Sequence, residues 1–226
     1  MVSMFLNADP WRRRRWLVLA PHPDDETLGT GALIAQAWAA GTLAGIAYLT
    51  DGSGSHEADS ITPLRLAARR KAEAGHALFR LTASRALNRF HLDWKDASPA
   101  APGEPIFDRS ASVLSALCRR CRVDAIAVTA LGEPHCDHAA AARLAYAVQS
   151  RARRRLIVAE YVVWADAPAR NKNQVLRTAK LPGGRRRHAL RAHRSQLTGS
   201  HGTGFRLAKE RLRMPAYDTL YVRRKP

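Results

Sequence analysis

Apolar positions fall into two arrangements along the chain. Residues 16–20, 44–50, 86–92, 125–129 and 156–163 are short, nearly unbroken apolar runs, and 219–222 is a weaker one. Between them, residues 26–40, 63–81, 110–121 and 138–150 read as helices, with apolar side chains recurring at the three- and four-residue spacing of a buried helical stripe. Strands that show no polar alternation are those covered on both faces, and regular strand–helix alternation indicates βαβ units. The pattern predicts an α/β fold, a Rossmann-like, doubly wound, mainly parallel sheet with helices on both faces, and 219–222 as an edge strand. A chain of 226 residues suits one such domain spanning 1–226. The segments DASPAAPGEPIFD and LPGGRRR then read as loops within it.

In open parallel sheets, ligands bind beyond the carboxyl ends of the strands. Four segments fall on that rim: PHPDDE after the first run, DGSGSH after the second, HLDWKD after the third and LGEPHCDH after the fourth. Each carries an acid or a histidine. The first is the most concentrated, with Asp24, Asp25 and Glu26 in succession behind His22. Three adjacent carboxylates repel one another, and burying them is costly unless a cation or hydrogen bonds compensate. Acids at a helix start are also favoured by the macrodipole and by capping alone. Capping, however, calls neither for the preceding histidine nor for a second cluster, His135, Asp137 and His138, after another strand. His22 and Asp25 lie three apart across a turn stiffened by Pro23. Two imidazoles and a carboxylate form a three-ligand set of the kind that holds a catalytic Zn2+ and leaves one position open.

Charge enlarges the picture. Lys and Arg number 37 against 19 Asp and Glu, for a net charge of +18. Arginine runs stand at 12–15, 153–155 and 185–187. Such blocks suit an anionic small molecule, an anionic membrane surface touched peripherally or a solvated face. No specific nucleic-acid partner is expected, because no helix-turn-helix, aromatic RNA-binding pattern or zinc finger accompanies the charge. Three cysteines do not form a disulfide framework, which points to a reducing cytoplasm. The lone Cys118–Cys121 C-x-x-C reads as ordinary thiols at a helix end. No apolar stretch reaches the roughly 18–20 residues of a membrane span, and WRRRRWLVLAP is too short in its apolar part for a signal peptide.

The segment APHPDDETLGTGALIA resembles the A-H-P-D-D-E signature of the PIG-L/LmbE-like zinc-dependent N-deacetylases, and PHCDH resembles that family's second metal segment, H-x-D-H. LTDGSG, RKAEAGHALF, HLDW and AHRSQLTG resemble further family segments, so the likeness runs from Leu17 to about Thr198. The resemblance implies hydrolysis of the N-acetyl group of an amino-sugar glycoconjugate of the N-acetylglucosamine type. It implies His22, Asp25 and His138 as zinc ligands, Asp24 as general base, His135 as the residue facing the reacting carbonyl and Asp137 as its partner. Arg70 and Asp93 match positions that hold sugar hydroxyls. Under this reading Asp24 takes a proton from water and returns it to the departing amine, while a protonated His135 steadies the oxyanion. Cys136 stands where the family commonly has proline, and an outward-facing thiol is expected. The net charge adds the expectation of an anionic aglycone. Two other readings remain: a zinc amidohydrolase acting on an acylated antibiotic or thiol conjugate, and a basic anion- or nucleic-acid-binding protein on the same scaffold.

Overall fold

The apolar runs become neighbouring strands in the computed structural model, which describes residues 4–57, 61–199 and 202–224. Strands β1 (Met4–Phe5), β2 (Trp16–Ala20), β3 (Leu43–Thr50), β4 (Arg89–Trp94), β5 (Ala125–Thr129), β6 (Ile157–Tyr161), β7 (Asn173–Arg177) and β8 (Thr219–Arg223) form one sheet in the order β1-β7-β8-β6-β5-β2-β3-β4. Its centre, β6-β5-β2-β3-β4, is parallel throughout. Within this parallel centre the chain begins at β2, winds outward to β3 and β4, then returns to β5 on the other side of β2. The gap between the ends of β2 and β5 is therefore the topological switch point where ligands bind.

The helices are α1 (Asp25–Ala39), α2 (Pro63–Thr82), α3 (Pro105–Arg120), α4 (Cys136–Ser150), α5 (Arg185–Leu190) and α6 (Arg194–Leu197). Side chains two apart on a strand share a face, and the two cores divide accordingly. Val18, Ala20, Ile46 and Tyr48 pack with α1, α2 and α5 on one side. Leu17, Leu19, Ala47 and Leu49 pack with α3 and α4 on the other. Burial of both faces is the reason these strands are continuously apolar.

The expected edge strand at 219–222 is corrected. As β8 it runs antiparallel between β6 and β7, and the edges are β1 and β4. Its neighbour β7, NQVLR, mixes polar and apolar residues and carries no strand signal of its own. Arg186 of α5 is buried, donates to the Leu28 carbonyl and pairs with Asp218 at the entry to β8, while Asp218 also accepts from the Leu33 amide. These bonds tie α1, α5 and β8 together.

Helix α1 also approaches β6 closely: a Cβ on Gly29 would lie 2.1 Å from Cδ2 of the fully buried Tyr161 ring. Gly29→Ala therefore overpacks a site that cannot relax cheaply, and urea denaturation should show a loss of about 1–3 kcal/mol. An unchanged midpoint would refute this packing.

Candidate functional site

Two turns meet at the switch point. The first leaves β2 and enters α1 through His22–Asp25; the second leaves β5 and enters α4 through Glu133–His138. Asp25 Oδ2 lies 3.2 Å from His22 Nδ1 and 3.2 Å from His138 Nε2. Bonds of about 2.0–2.1 Å at the tetrahedral angle place neighbouring zinc ligands about 3.3 Å apart, so this spacing fits a divalent ion. His138 Nε2 is buried and has no well-aligned hydrogen-bond partner among the described residues, as expected of a nitrogen whose natural partner is an ion.

The outer nitrogen of each ring is held. His22 Nε2 lies 2.9 Å from Asp137 Oδ2 and 3.1 Å from Asp96 Oδ1. His138 Nδ1 lies 3.2 Å from Glu133 Oε2, and Glu133 Oε1 accepts the backbone amides of Val163 and Trp164. Carboxylates placed behind imidazoles in this way fix the tautomer and ring orientation of metal-binding histidines. His135 stands close by, its ring 4.7 Å from that of His22 and 5.3 Å from that of His138. The ligand atoms of these three histidines lie within 4.8 Å of one another, so His135 is an alternative third donor to Asp25.

Charge couples the groups. Burial opposes ionisation of Asp25, but the fields of His138 and His22 outweigh it and hold the carboxyl far below its usual range. Burial likewise opposes protonation of His138, yet Asp25 and Glu133 lift it to about 9. His22 is raised as well, with Asp137, Asp25 and Asp96 overcoming its burial. In the metal-free chain, protons on the two rings thus supply the positive charge that the carboxylates require, and a dication can replace them.

Asp24 precedes α1 but does not cap it with its side chain. Glu26 Oε2 instead accepts the Asp24 amide. The Asp24 backbone has φ 153°, a strained value for a non-glycine residue, and its carboxylate lies 3.5 Å from Arg70 Nη2. Burial pushes this carboxyl up to about 6, helped by repulsion from Asp25 and opposed by Arg70. His22, Asp24, Asp25 and Arg70 line a cavity of about 610 Å3 together with Pro134, Trp164 and Phe205.

The structure brings His22, Asp24, Asp25, Arg70, His135, Asp137 and His138 together, with three changes of detail. Asp93 is not among the cavity residues; it projects outward at φ 52° and pairs with Lys71 at 2.7 Å. Asp96, three residues on, takes the place inside, anchored by the Gly54 amide at 3.0 Å and beside Arg70. Asp137 backs His22 rather than His135, from whose Nδ1 it lies 3.9 Å away. Finally, His135 Nδ1 accepts the Asp137 amide at 3.3 Å, and burial together with His22 and His138 depresses its basicity. Both effects favour a neutral ring that accepts at Nδ1 over the expected cation. Arg70 spends its guanidinium on the Gly52 and Pro23 carbonyls, which positions the two turns. Asp51 closes its own turn through the Ser53 amide.

Comparison with known proteins follows the same lines. Residues 17–149 match the family model described as PIG-L: GlcNAc-PI de-N-acetylase. Similar solved structures include N,N'-diacetylchitobiose deacetylase from Pyrococcus horikoshii (TM-score 0.67, 18% identity, 92% of this chain and 83% of that one). Another is the teicoplanin deacetylase Orf2 in its zinc-inhibited form (TM-score 0.62, 16% identity, 92% and 97%). A third, the 4-carboxy-2-hydroxymuconate hydratase GalB from Pseudomonas putida (TM-score 0.54, 16% identity, 79% and 78%), carries different chemistry on the same fold. At these identities the likeness is one of fold. No curated protein matches the chain in sequence.

Glu133 holds the His138 ring and a loop at once. Glu133→Ala leaves the His138 Nδ1 proton and the Val163 and Trp164 amides without their acceptor, and chemical denaturation should register a loss of about 3 kcal/mol. A loss below about 0.5 kcal/mol, the scale of an ordinary surface substitution, would contradict this role.

Proposed function

The chain belongs to the GlcNAc-PI de-N-acetylase (PIG-L) family, and on that premise we propose that it is a zinc-dependent N-deacetylase acting on the acetamido group of an N-acetylglucosamine-type glycoconjugate. His22 through Nδ1, Asp25 through Oδ2 and His138 through Nε2 would hold the ion. The observation that carries the reading is the convergence of both rings on one oxygen of Asp25, with an unliganded, partly protonatable carboxylate, Asp24, beside it.

When bound, a divalent ion supplies a nucleophile at neutral pH and a Lewis acid for the amide carbonyl. The chain does the rest. Asp24 accepts the proton of the attacking water, then delivers it to the amide nitrogen, so that the C–N bond breaks with a neutral amine leaving and acetic acid remaining, whose proton then passes to the amine or to solvent to give acetate. A carboxyl held near 6 suits both halves of that transfer at neutral pH. The His135 Nε2–H is the donor proposed for the developing oxyanion, with its tautomer set by the Asp137 amide. Asp96 and Asp137 keep His22 oriented, and Glu133 does the same for His138.

The cavity also bears on substrate. Among the described residues Arg70 is the only Lys or Arg that lines it, and both of its Nη atoms already donate to backbone carbonyls, so the anionic aglycone expected from net charge draws little support here. A polar wall facing Trp164 and Phe205 suits a sugar whose hydroxyls and acetamide meet the charged side and whose apolar face meets the rings. The same aromatic wall favours, as a second reading, an acylated antibiotic with an aromatic aglycone.

Acetate release from a panel of N-acetylated glycosides, followed by mass spectrometry, tests the proposal. Asp24→Asn should lower kcat by about 10²–10⁴-fold with little change in KM. His22→Ala should abolish both zinc binding and turnover, and chelation of the unaltered protein should be reversed by added zinc. Full turnover in the chelated protein, or in Asp24→Asn, would reject the mechanism.

A further inference from the structure

Eleven of the arginines that this chemistry leaves unused meet on one border of the sheet, the end at which its parallel strands begin. In a parallel sheet every strand begins at the same edge, and β2, β5 and β6 are adjacent there. The segments leading into them contain the arginines of 12–15, 119–122 and 151–155. Neighbouring strands lie about 4.8 Å apart, so three stretches drawn from residues 12–155 of the chain become one basic border, opposite the catalytic rim. The run at 185–187 does not join it in full, since Arg186 is buried against Asp218 and Arg185 binds the Leu81 carbonyl.

Helices α3 and α4 also end at this edge. Between their last turns lies a cleft of about 340 Å3 with an apolar floor, including Val123, Val148 and Leu156, and a collar that includes Arg119, Arg122 and Arg153. These three arginines are exposed, and among the described residues none has a carboxylate partner, in contrast to Arg151 and Arg154, which face Asp108 and Asp124. Arg120 and Arg155, also exposed, stand beside them in the same unneutralised state. Crowded guanidinium groups without counter-charge repel one another, and an anionic partner relieves that repulsion.

We propose that this edge docks the protein on an anionic phospholipid membrane. The guanidinium fork matches phosphate geometry, and the apolar floor beneath the collar gives the glycerol and upper acyl carbons of a lipid a place that a nucleic acid would leave empty. Among the described residues that line the cleft none has an aromatic side chain on which a base could stack. The inference stands on topology and charge and does not depend on the deacetylase reading. One consequence does rest on that reading: docked by this edge, the catalytic cavity faces away from the bilayer, so the enzyme takes water-soluble glycosides rather than lipids of the membrane on which it sits.

Flotation of the full chain with vesicles of phosphatidylcholine alone, or of phosphatidylcholine with phosphatidylglycerol, tests the docking. Binding should require phosphatidylglycerol and fall steeply with salt. The combined variant Arg119→Gln, Arg122→Gln, Arg153→Gln and Arg155→Gln should bind about 100-fold or more weakly, since each basic residue near an acidic surface contributes about five-fold. These side chains are exposed and the three at the cleft unpaired, so the variant should melt like the parent and hydrolyse a soluble acetamido sugar at the same rate. A folded parent that ignores acidic vesicles at physiological salt overturns the proposal, as does a variant that binds as well as the parent. Tighter binding to a duplex DNA oligonucleotide than to acidic vesicles, at equal salt and accessible phosphate, overturns it in favour of nucleic acid.

Discussion

Two imidazoles turned on a single carboxylate oxygen are the constraint from which the rest of the site follows. Each ring is gripped from behind, His22 by Asp137 and Asp96, His138 by Glu133, so neither can turn from Asp25 without breaking a buried, charge-assisted hydrogen bond. The same arrangement explains how a strongly basic protein tolerates three successive carboxylates. Asp25 faces the rings, Asp24 faces Arg70, and Glu26 accepts an amide and approaches His193. Each acid has a different compensating group, and burial leaves Asp24 with a carboxyl near 6, whose proton is easily exchanged near neutrality.

The fold supplies that constraint through strand order. Because β2 and β5 are adjacent while the intervening chain builds β3 and β4 on the far side, turns more than a hundred residues apart emerge side by side at one end of the sheet. Helix α2 then carries two buried polar residues one turn apart with separate tasks. Arg70 reaches the Gly52 and Pro23 carbonyls, and Glu73 receives the amide and hydroxyl of Ser195, fastening α6 over the first turn of the site.

Much of this was legible in the chain. The parallel strands read clearly because burial on both faces demands unbroken apolar runs, and β2 and β5 match their expected limits to the residue. β7 and the interior place of β8 were hidden because strands partnered late and antiparallel need not be uniformly apolar. The turns bearing His22 and His138 were legible through residue type and spacing, and the family resemblance assigned their members. Asp96 was not singled out, since HLDWKD offers two aspartates and only the backbone turn at Asp93 decides which one faces inward. Glu133 escaped notice for a related reason: its partners, His138 and the segment after β6, lie across a loop whose path leaves no periodic trace. The direction of Asp137 toward His22 is likewise a property of three dimensions.

Net charge illustrates how a bulk quantity can mislead about a site. Eleven of the 31 arginines lie in the segments 12–15, 119–122 and 151–155, at the end of the sheet remote from the chemistry, while the cavity is lined by a balanced set of acids, imidazoles and one engaged arginine. The two histidine-bearing turns and this basic border thus stand at opposite ends of the same strands. The central claim, that the turns after β2 and β5 build one ion site, is tested most directly by anomalous diffraction at the zinc absorption edge from crystals grown with equimolar zinc. The account predicts a single strong peak about 2.0–2.2 Å from His22 Nδ1, Asp25 Oδ2 and His138 Nε2; a zinc-free cavity, or a peak confined to the thiols of Cys118, Cys121 or Cys136, would contradict it.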